Sequence, residues 1–242
     1  MPFTPSHAAA VLPFLRTPLP ASALVAGSVA PDLPYYLPGD LSWETHSALA
    51  VVTTDLLLGG IAWAVWHALL AEPALAWAPG GVRARLSGVP LGPAVRVRSV
   101  RGLAWTVLAL VVGAATHVLW DEFTHAGRWG TDHLPALARM WGPVEGYRWA
   151  QYASSVVGAA ILLVWLVRWW RRSPRAPLPD RPAAWPVWSG IAGAGLLAGI
   201  AGALTAADIR RAAWLGATWG GGAAIAATAL LAVAWQVRRR RP

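Results

Sequence analysis

The sequence contains no cysteine and no lysine, and only 13% of its 242 residues are charged. Without cysteine there is neither a disulfide framework nor a thiolate metal site, so any metal must be held by imidazole and carboxylate. So little charge is too little for a soluble domain of this length, and a 56% hydrophobic content places the chain in a membrane. Because lysine is missing, the net charge of +9 is carried by arginine alone. Most of these arginines gather in Arg83–Arg101, Arg168–Arg181 and Arg238–Arg241, beside apolar stretches. Such clusters are what the positive-inside rule and attraction to anionic lipid produce, and they are not a nucleic-acid stripe. The expected partner is a bilayer with anionic lipid at the arginine clusters. No nucleic acid is expected, and the sequence identifies no protein partner.

What the chain does have is apolar length. Leu49–Ala71, Gly102–Phe123, Trp149–Trp170, Trp185–Thr205 and Ala213–Val237 each exceed the roughly 20 residues a helix needs to cross a bilayer. Tryptophans such as Trp149, Trp169, Trp170, Trp185 and Trp235 sit near their ends, where amphipathic rings anchor at the headgroups. Alternating spans put all three arginine clusters on one side, which predicts a multi-pass protein of a bacterial inner membrane with a cytoplasmic C-terminus. Asp32–Ser47, the segment after His125 and Ala206–Ala212 then lie outside, with Arg210 and Arg211 as the exception.

The first thirty residues hold two apolar runs, Ala8–Leu15 and Ala21–Ala30, each too short to cross alone, with Pro13, Arg16, Pro18 and Pro20 within or between them. A re-entrant or interfacial helical hairpin fits this pattern; a single kinked span and a signal peptide are the rivals. The fold class is therefore all-α: a polytopic transmembrane helical bundle with about five long spans plus this N-terminal hairpin. Residues 1–170 form a membrane domain bearing the polar site, 171–184 an Arg/Pro linker on the cytoplasmic side, and 185–242 a Gly/Ala-rich two-helix segment with a basic tail.

The chemistry concentrates in His117-Val-Leu-Trp-Asp121-Glu-Phe-Thr-His125. Residues four apart on a helix share a face, so His117 and Asp121 can grip one divalent ion. His125, a further turn along, can serve a neighbouring ion or orient a ligand. Counting about 1.5 Å per residue from Gly102, His117 lies roughly 22 Å up the helix and Asp121 roughly 28 Å, at the outer interface. Ionisable groups at such depth are costly and usually partnered. Partners are available in Thr4-Pro-Ser-His7, in Ala30-Pro-Asp32-Leu-Pro and in Glu44-Thr-His46-Ser47, enough together for one closed or two open metal sites. Asp55 is expected to orient a ligand histidine, or else to be satisfied by its neighbouring threonines or by Gln151. His67 reads as an interfacial histidine at the cytoplasmic end. Asp132, His133 and Glu145 lie on the correct side for a second ion, but their spacing is not decisive.

Met1-Pro-Phe-Thr-Pro-Ser-His7, Gly27-Ser-Val-Ala-Pro-Asp32, Thr45-His46-Ser47, the His117–His125 ladder and Gln151-Tyr-Ala-Ser-Ser155 together resemble the bacterial domain-of-unknown-function 4184 membrane family, over roughly residues 1–170. A looser likeness extends to membrane-bound metal-dependent hydrolases. The order His, Asp, His, then His-x-x-x-Asp is also similar to the zinc-dependent phospholipase C and nuclease group, which implies His7, Asp32, His46, His117 and Asp121 as ligands. The chain lacks that group's His-x-x-x-Glu motif, so a trinuclear zinc site is not implied.

The expectation is a hydrolase using one or two divalent ions, zinc first, on a phosphoester of a lipid or envelope intermediate at the outer face. His125 is then a proton donor or a further ligand, Glu122 or Glu44 a general base, and Asp55 and Gln151 supporting residues behind the ligands. The alternative is a non-catalytic membrane protein with a structural, metal-binding or proton- or metal-carrying role.

Overall fold

A computed structural model describes residues 4–37, 39, 43–92, 97–177 and 183–240. The first three residues of the N-terminal motif, Arg96, Arg181 and Arg241 lie outside the described residues. Among the described residues, five helices are long and apolar enough to cross a membrane: Thr54–Trp77, Val100–Asp121, Gly146–Arg172, Trp185–Leu204 and Ile209–Arg239, numbered spans one to five below. Two two-residue strands, Met140–Trp141 and Val144–Glu145, pair antiparallel between spans two and three.

The chain forms two compact units, and no single cut in the sequence separates them. The first comprises Met1–Leu33, Ser42–Trp63 and Arg96–Arg172; the second comprises Pro34–Leu41, Ala64–Val95 and Ser173–Pro242. Span one divides between them.

In the first unit the expected hairpin is present. Thr4–Arg16 winds as a 3-10 helix and Ala21–Val29 as an α-helix, and the two pack on each other. The Thr17 hydroxyl closes the first arm on the Phe14 carbonyl at 2.7 Å. The Pro20 carbonyl opens the second by accepting from the amides of Ala23 and Leu24, each at 3.0 Å. The second arm then meets span two with almost no side chain between them. A Cβ at Gly27 would collide with the Leu110 carbonyl, and one at Gly113 with the Leu24 carbonyl and the Ser28 amide. Small residues allow this approach, which buries Leu24, Ala23, Ala109 and Leu110 around it. Span three lies as close to the first arm: a Cβ at Gly158 would stand 2.8 Å from the Ser6 Cβ.

Helix ends differ from the expected ones where polar side chains intervene. The predicted span from Leu49 is broken at Thr53, because Ser47 caps a separate short helix, Ala48–Val52, by accepting from the Ala50 amide at 3.1 Å. The span proper runs from Thr54 and continues past Ala71 to Trp77 through a π-helical turn, Trp66–Leu70. Pro73, with no N–H to return to the preceding turn, follows directly. Span two starts at Val100, with Ser99 accepting from the Gly102 amide at 3.0 Å. Span five starts at Ile209, where Asp208 accepts from the amides of Arg210 and Arg211 at 2.8 and 2.9 Å. That cap draws the two exceptional arginines into the helix.

In the second unit, spans four and five pack through Gly195, Gly199 and Gly202 against Gly216 and Gly220. A Cβ at Gly199 would lie 2.9 Å from the Gly216 carbonyl, and one at Gly220 would lie 2.8 Å from the Gly195 carbonyl. The Trp188 indole donates to the Trp77 carbonyl at 3.0 Å, fastening the end of span one to span four.

Candidate metal centre

The glycine contact between the hairpin and span two has a direct consequence for His117. It brings the backbone of Ser28 beside the histidine ring, and His117 Nδ1 lies 2.7 Å from the Ser28 carbonyl oxygen. A carbonyl only accepts, so Nδ1 carries the proton and Nε2 keeps its lone pair. That Nε2 is buried and, among the described residues, has no hydrogen-bond partner. The Gly158 contact places the 3-10 helix so that His7 stacks on His117, with 3.8 Å between ring centroids and 11° between planes. Both His7 nitrogens are likewise buried without a hydrogen bond among the described residues. Three orphaned ring nitrogens in one place would be costly unless something else binds them.

Two buried carboxylates face these rings. Asp32, fixed between Pro31 and Pro34 in a 3-10 turn, receives the Thr4 hydroxyl on Oδ2 at 2.6 Å and leaves Oδ1 toward the histidines. His46 Nε2 stands 3.2 Å from that oxygen and 3.5 Å from Asp121 Oδ2. His117 Nε2 stands 3.6 Å from Asp32 Oδ1 and 3.4 Å from Asp121 Oδ2, and His7 Nε2 lies 3.6 Å from Asp121 Oδ1. Charge-assisted N–H···O bonds are shorter than most of these separations. Two ligands each about 2.0–2.1 Å from one zinc ion in a tetrahedron stand about 3.3–3.4 Å apart, inside the 3.2–3.6 Å range of these separations.

The ligand atoms gather as two triads, His7, His117 and Asp121, and Asp32, His46 and His117. The two share His117, whose Nε2 has one lone pair. They could therefore hold an ion in either of two adjacent positions, of which His117 completes one at a time. His7, Asp32, His46, His117 and Asp121 all lie in these triads and all five are buried, whereas His125, Asp132, His133 and Glu145 lie outside them.

His46 is held with unusual force. Its φ is +64°, a conformation few non-glycine residues adopt and one that clusters at functional sites. Its Nδ1 lies 2.8 Å from the Thr45 hydroxyl, its carbonyl accepts from Arg128 Nη1 at 2.6 Å, and its backbone amide faces Asp55. Asp55 is fully buried, and neither its threonine neighbours nor Gln151 satisfies it: its carboxylate oxygens accept no hydrogen bond among the described residues.

Electrostatically, burial lowers the His7 imidazole to about 4, and the His117 ring beside it adds to the effect. His7 is thus neutral, the form that binds metal. Burial raises the Asp32 carboxyl, but the His46 hydrogen bond, the neighbouring His117 ring and the Thr4 hydrogen bond outweigh it and hold the group below its usual range. Asp32 is therefore ionised, and the Arg128 guanidinium nearby reaches the His46 carbonyl and not this carboxylate. A divalent cation among the donors would balance the buried negative charge.

His125 sits at the rim. Its side chain is 26% exposed, its Nδ1 lies 3.4 Å from Asp121 Oδ1, and Gln151 Nε2 lies 3.3 Å from its Nε2 while donating to the Thr124 carbonyl at 3.2 Å. The amide donates on both sides, so His125 carries its proton on Nδ1, toward Asp121. The remaining acidic candidates are engaged elsewhere. Glu122 accepts from the Trp129 amide at 2.7 Å and Glu44 from the Ser47 hydroxyl at 3.0 Å. Glu145 pairs with Arg148 at 2.6 Å, Asp132 is exposed, and the His133 ring stacks on Trp129, 4.8 Å between centroids. His67 lies in the second unit, buried in the π-helical turn.

Sequence reasoning missed Ser28, Thr4 and Arg128, and the glycines that position them. Thr4, Gly27 and Ser28 stood inside motifs singled out for His7 and Asp32, whereas Arg128, Gly113 and Gly158 carried no signal.

The fold and the cluster define a polytopic helical membrane protein with a buried histidine–carboxylate donor set. A family model described as a domain of unknown function, DUF4184, matches residues 1–235, and the chain belongs to that family. The match extends beyond the first 170 residues to include spans four and five. No curated protein and no solved structure matches the chain.

Proposed function

We propose that this protein is a membrane-embedded metal-dependent hydrolase that acts on a phosphoester at the extracytoplasmic face. One observation carries the reading: donors from five residues gather as two triads near ligand-to-ligand spacing, and His7 Nε2 and His117 Nε2 within them have no hydrogen bond among the described residues. Three imidazoles and two carboxylates suit zinc first and manganese second. When bound, such an ion acidifies water and polarises a phosphoryl oxygen. His7, Asp32, His46, His117 and Asp121 hold it. His125, at the rim, would donate to the leaving oxygen as the imidazolium, returning to the neutral form with its proton on Nδ1 toward Asp121 and Nε2 facing the Gln151 amide. Glu122 or Glu44 can act as general base only after giving up the Trp129 or Ser47 hydrogen bond.

The outer-face placement rests on the charge of the first unit. Arg98 and Arg101 flank the start of span two, and Arg168, Arg171 and Arg172 lie at the end of span three, so the opposite ends, with Asp121, face outward. A bacterial inner membrane and a cytoplasmic C-terminus belong to the same reading.

The near-complete burial of the five donors favours a second reading, a closed structural ion without turnover. Metal content by mass spectrometry on detergent-purified protein tests the shared premise: about one or two ions per chain, lost in both His117→Ala and Asp32→Ala. A wild type that holds no metal, even after reconstitution, sinks both readings. Chelator-sensitive release of phosphate from phosphomonoester and phospholipid substrates then separates the enzyme from the structural ion.

A further inference from the structure

Arg128 brings a permanent positive charge to the donor cluster. Its Nη1 donates to the His46 carbonyl at 2.6 Å, and the same nitrogen stands 4.0 Å from Glu122 Oε1, the limit of an ion pair. Glu122 is itself partly spent, because its other carboxylate oxygen accepts from the Trp129 amide. No described residue bonds Arg128 Nε or Nη2, and 34% of the side chain is exposed.

The loop that carries Arg128 is tightly built. Gly127 adopts φ +66°, and the Gly130 amide donates to the Glu122 carbonyl at 2.9 Å. A Cβ at Gly130 would sit 2.5 Å from that carbonyl oxygen and 2.7 Å from the Phe123 ring. The guanidinium is therefore pre-positioned, with one donor anchored to the backbone of a ligand residue and the rest of its fork unoccupied. A clasp on His46 needs a single N–H, which an amide or a lysine supplies. A planar fork adds two parallel donors whose spacing matches two oxygens of a tetrahedral anion.

We propose that Arg128 binds the non-bridging oxygens of the substrate's phosphoryl group, through Nε and Nη2, while Nη1 keeps its hold on His46. This rests on the metal-dependent reading above and narrows its substrate to an ester with a terminal, anionic phosphate. The phosphate can belong to a lipid headgroup or to a water-soluble monoester; the recognising chemistry is the same.

The test is chemical modification of the full-length, zinc-loaded protein in phosphatidylcholine nanodiscs. Phenylglyoxal labelling of the peptide containing Arg128 is followed by mass spectrometry, with and without inorganic phosphate, and with and without phosphatidic acid in the nanodisc. Labelling of Arg128 should slow several-fold with one or both probes, while Arg139 and Arg148 label as before. Protection by inorganic phosphate identifies a site open to soluble anions, and protection by phosphatidic acid alone identifies a headgroup site. Absence of protection by either probe overturns the proposal, and because this arm uses only wild type, a misfolded variant cannot obscure it. A second arm titrates inorganic phosphate into Arg128→Gln and Arg128→Lys. Phosphate affinity should fall roughly 10–100-fold in Arg128→Gln and less in Arg128→Lys, with zinc content unchanged. Unchanged phosphate affinity in Arg128→Gln at full zinc content refutes the role of Arg128 alone. Lack of zinc in the wild type refutes the metal reading instead, and protection of Arg128 from labelling remains decisive in the zinc-free protein.

Discussion

The two units use the same packing device to different ends. In the first, glycines at 27, 113 and 158 bring backbones together, and the space so closed is filled by His7, Asp32, His46, His117 and Asp121. In the second, glycines at 195, 199, 202, 216 and 220 bring spans four and five equally close, yet span four has no ionisable residue and span five has none between Arg211 and Arg238. Close approach in a membrane is thus a means, and the side chains beside it decide whether it yields a site or only an interface. In the first unit it sets Ser28 on His117 and Ser6 against span three, so an error of one methyl group reaches the donor cluster.

The sharpest way to break this comparison is a matched pair of substitutions. Gly113→Val forces its side chain into the Leu24 carbonyl and the Ser28 amide, and it should abolish zinc binding outright with a loss of stability of about 3 kcal/mol or more. Gly199→Val meets the Gly216 carbonyl and should cost about 1–3 kcal/mol, within the usual range for overpacking, while zinc content stays at the wild-type value. Denaturation of the detergent-solubilised variants together with metal analysis gives both readings. Equal loss of zinc in the two variants would show that the units are not independent and would remove the contrast.

His7→Ala should have the next largest effect, because it deletes a ligand and leaves a buried gap beneath His117. Zinc affinity, measured by competition with a chromophoric chelator, should fall by more than about 100-fold, beyond what loss of an outer hydrogen-bond partner causes. Retained affinity would assign the ion to Asp32, His46, His117 and Asp121 alone. Gln151→Ala is milder: it frees the His125 tautomer without touching a ligand, and affinity or turnover should fall about 10–100-fold. An effect as large as that of His7→Ala would make His125 a ligand in its own right, completed by a flipped amide.

What could be read from the sequence follows the range of each interaction. The spans were legible because hydropathy over twenty residues is a summed, local signal, and the His117–Asp121 pair because helical spacing alone puts both on one face. The convergence of His7, Asp32 and His46 on that pair was legible only as an order of motifs. Span ends were misplaced wherever a single side chain decided them, as with Ser47 and Thr53 at span one and Asp208 at span five. Arg128 was not legible at all. Its significance comes from a hydrogen bond to a residue 82 positions earlier in the chain, and no spacing rule reaches that far.

The smallest effect should come from the second unit's most obvious polar contact. Arg239 Nη1 lies 2.7 Å from Glu72 Oε2, closer than any histidine–carboxylate pair in the donor cluster, but both side chains are well exposed. In high dielectric, the Coulomb gain of such a pair is nearly cancelled by the entropy of holding two long side chains. Glu72→Ala, Arg239→Ala and the double variant should therefore give a coupling energy below about 1 kcal/mol and no change in zinc content. The longer His–Asp separations of the first unit should matter far more, because their groups are buried and little water reaches them. A coupling above about 2 kcal/mol for Glu72 and Arg239 would mean that lipid shields this pair from water, and that the second unit, too, contains an electrostatically sensitive site.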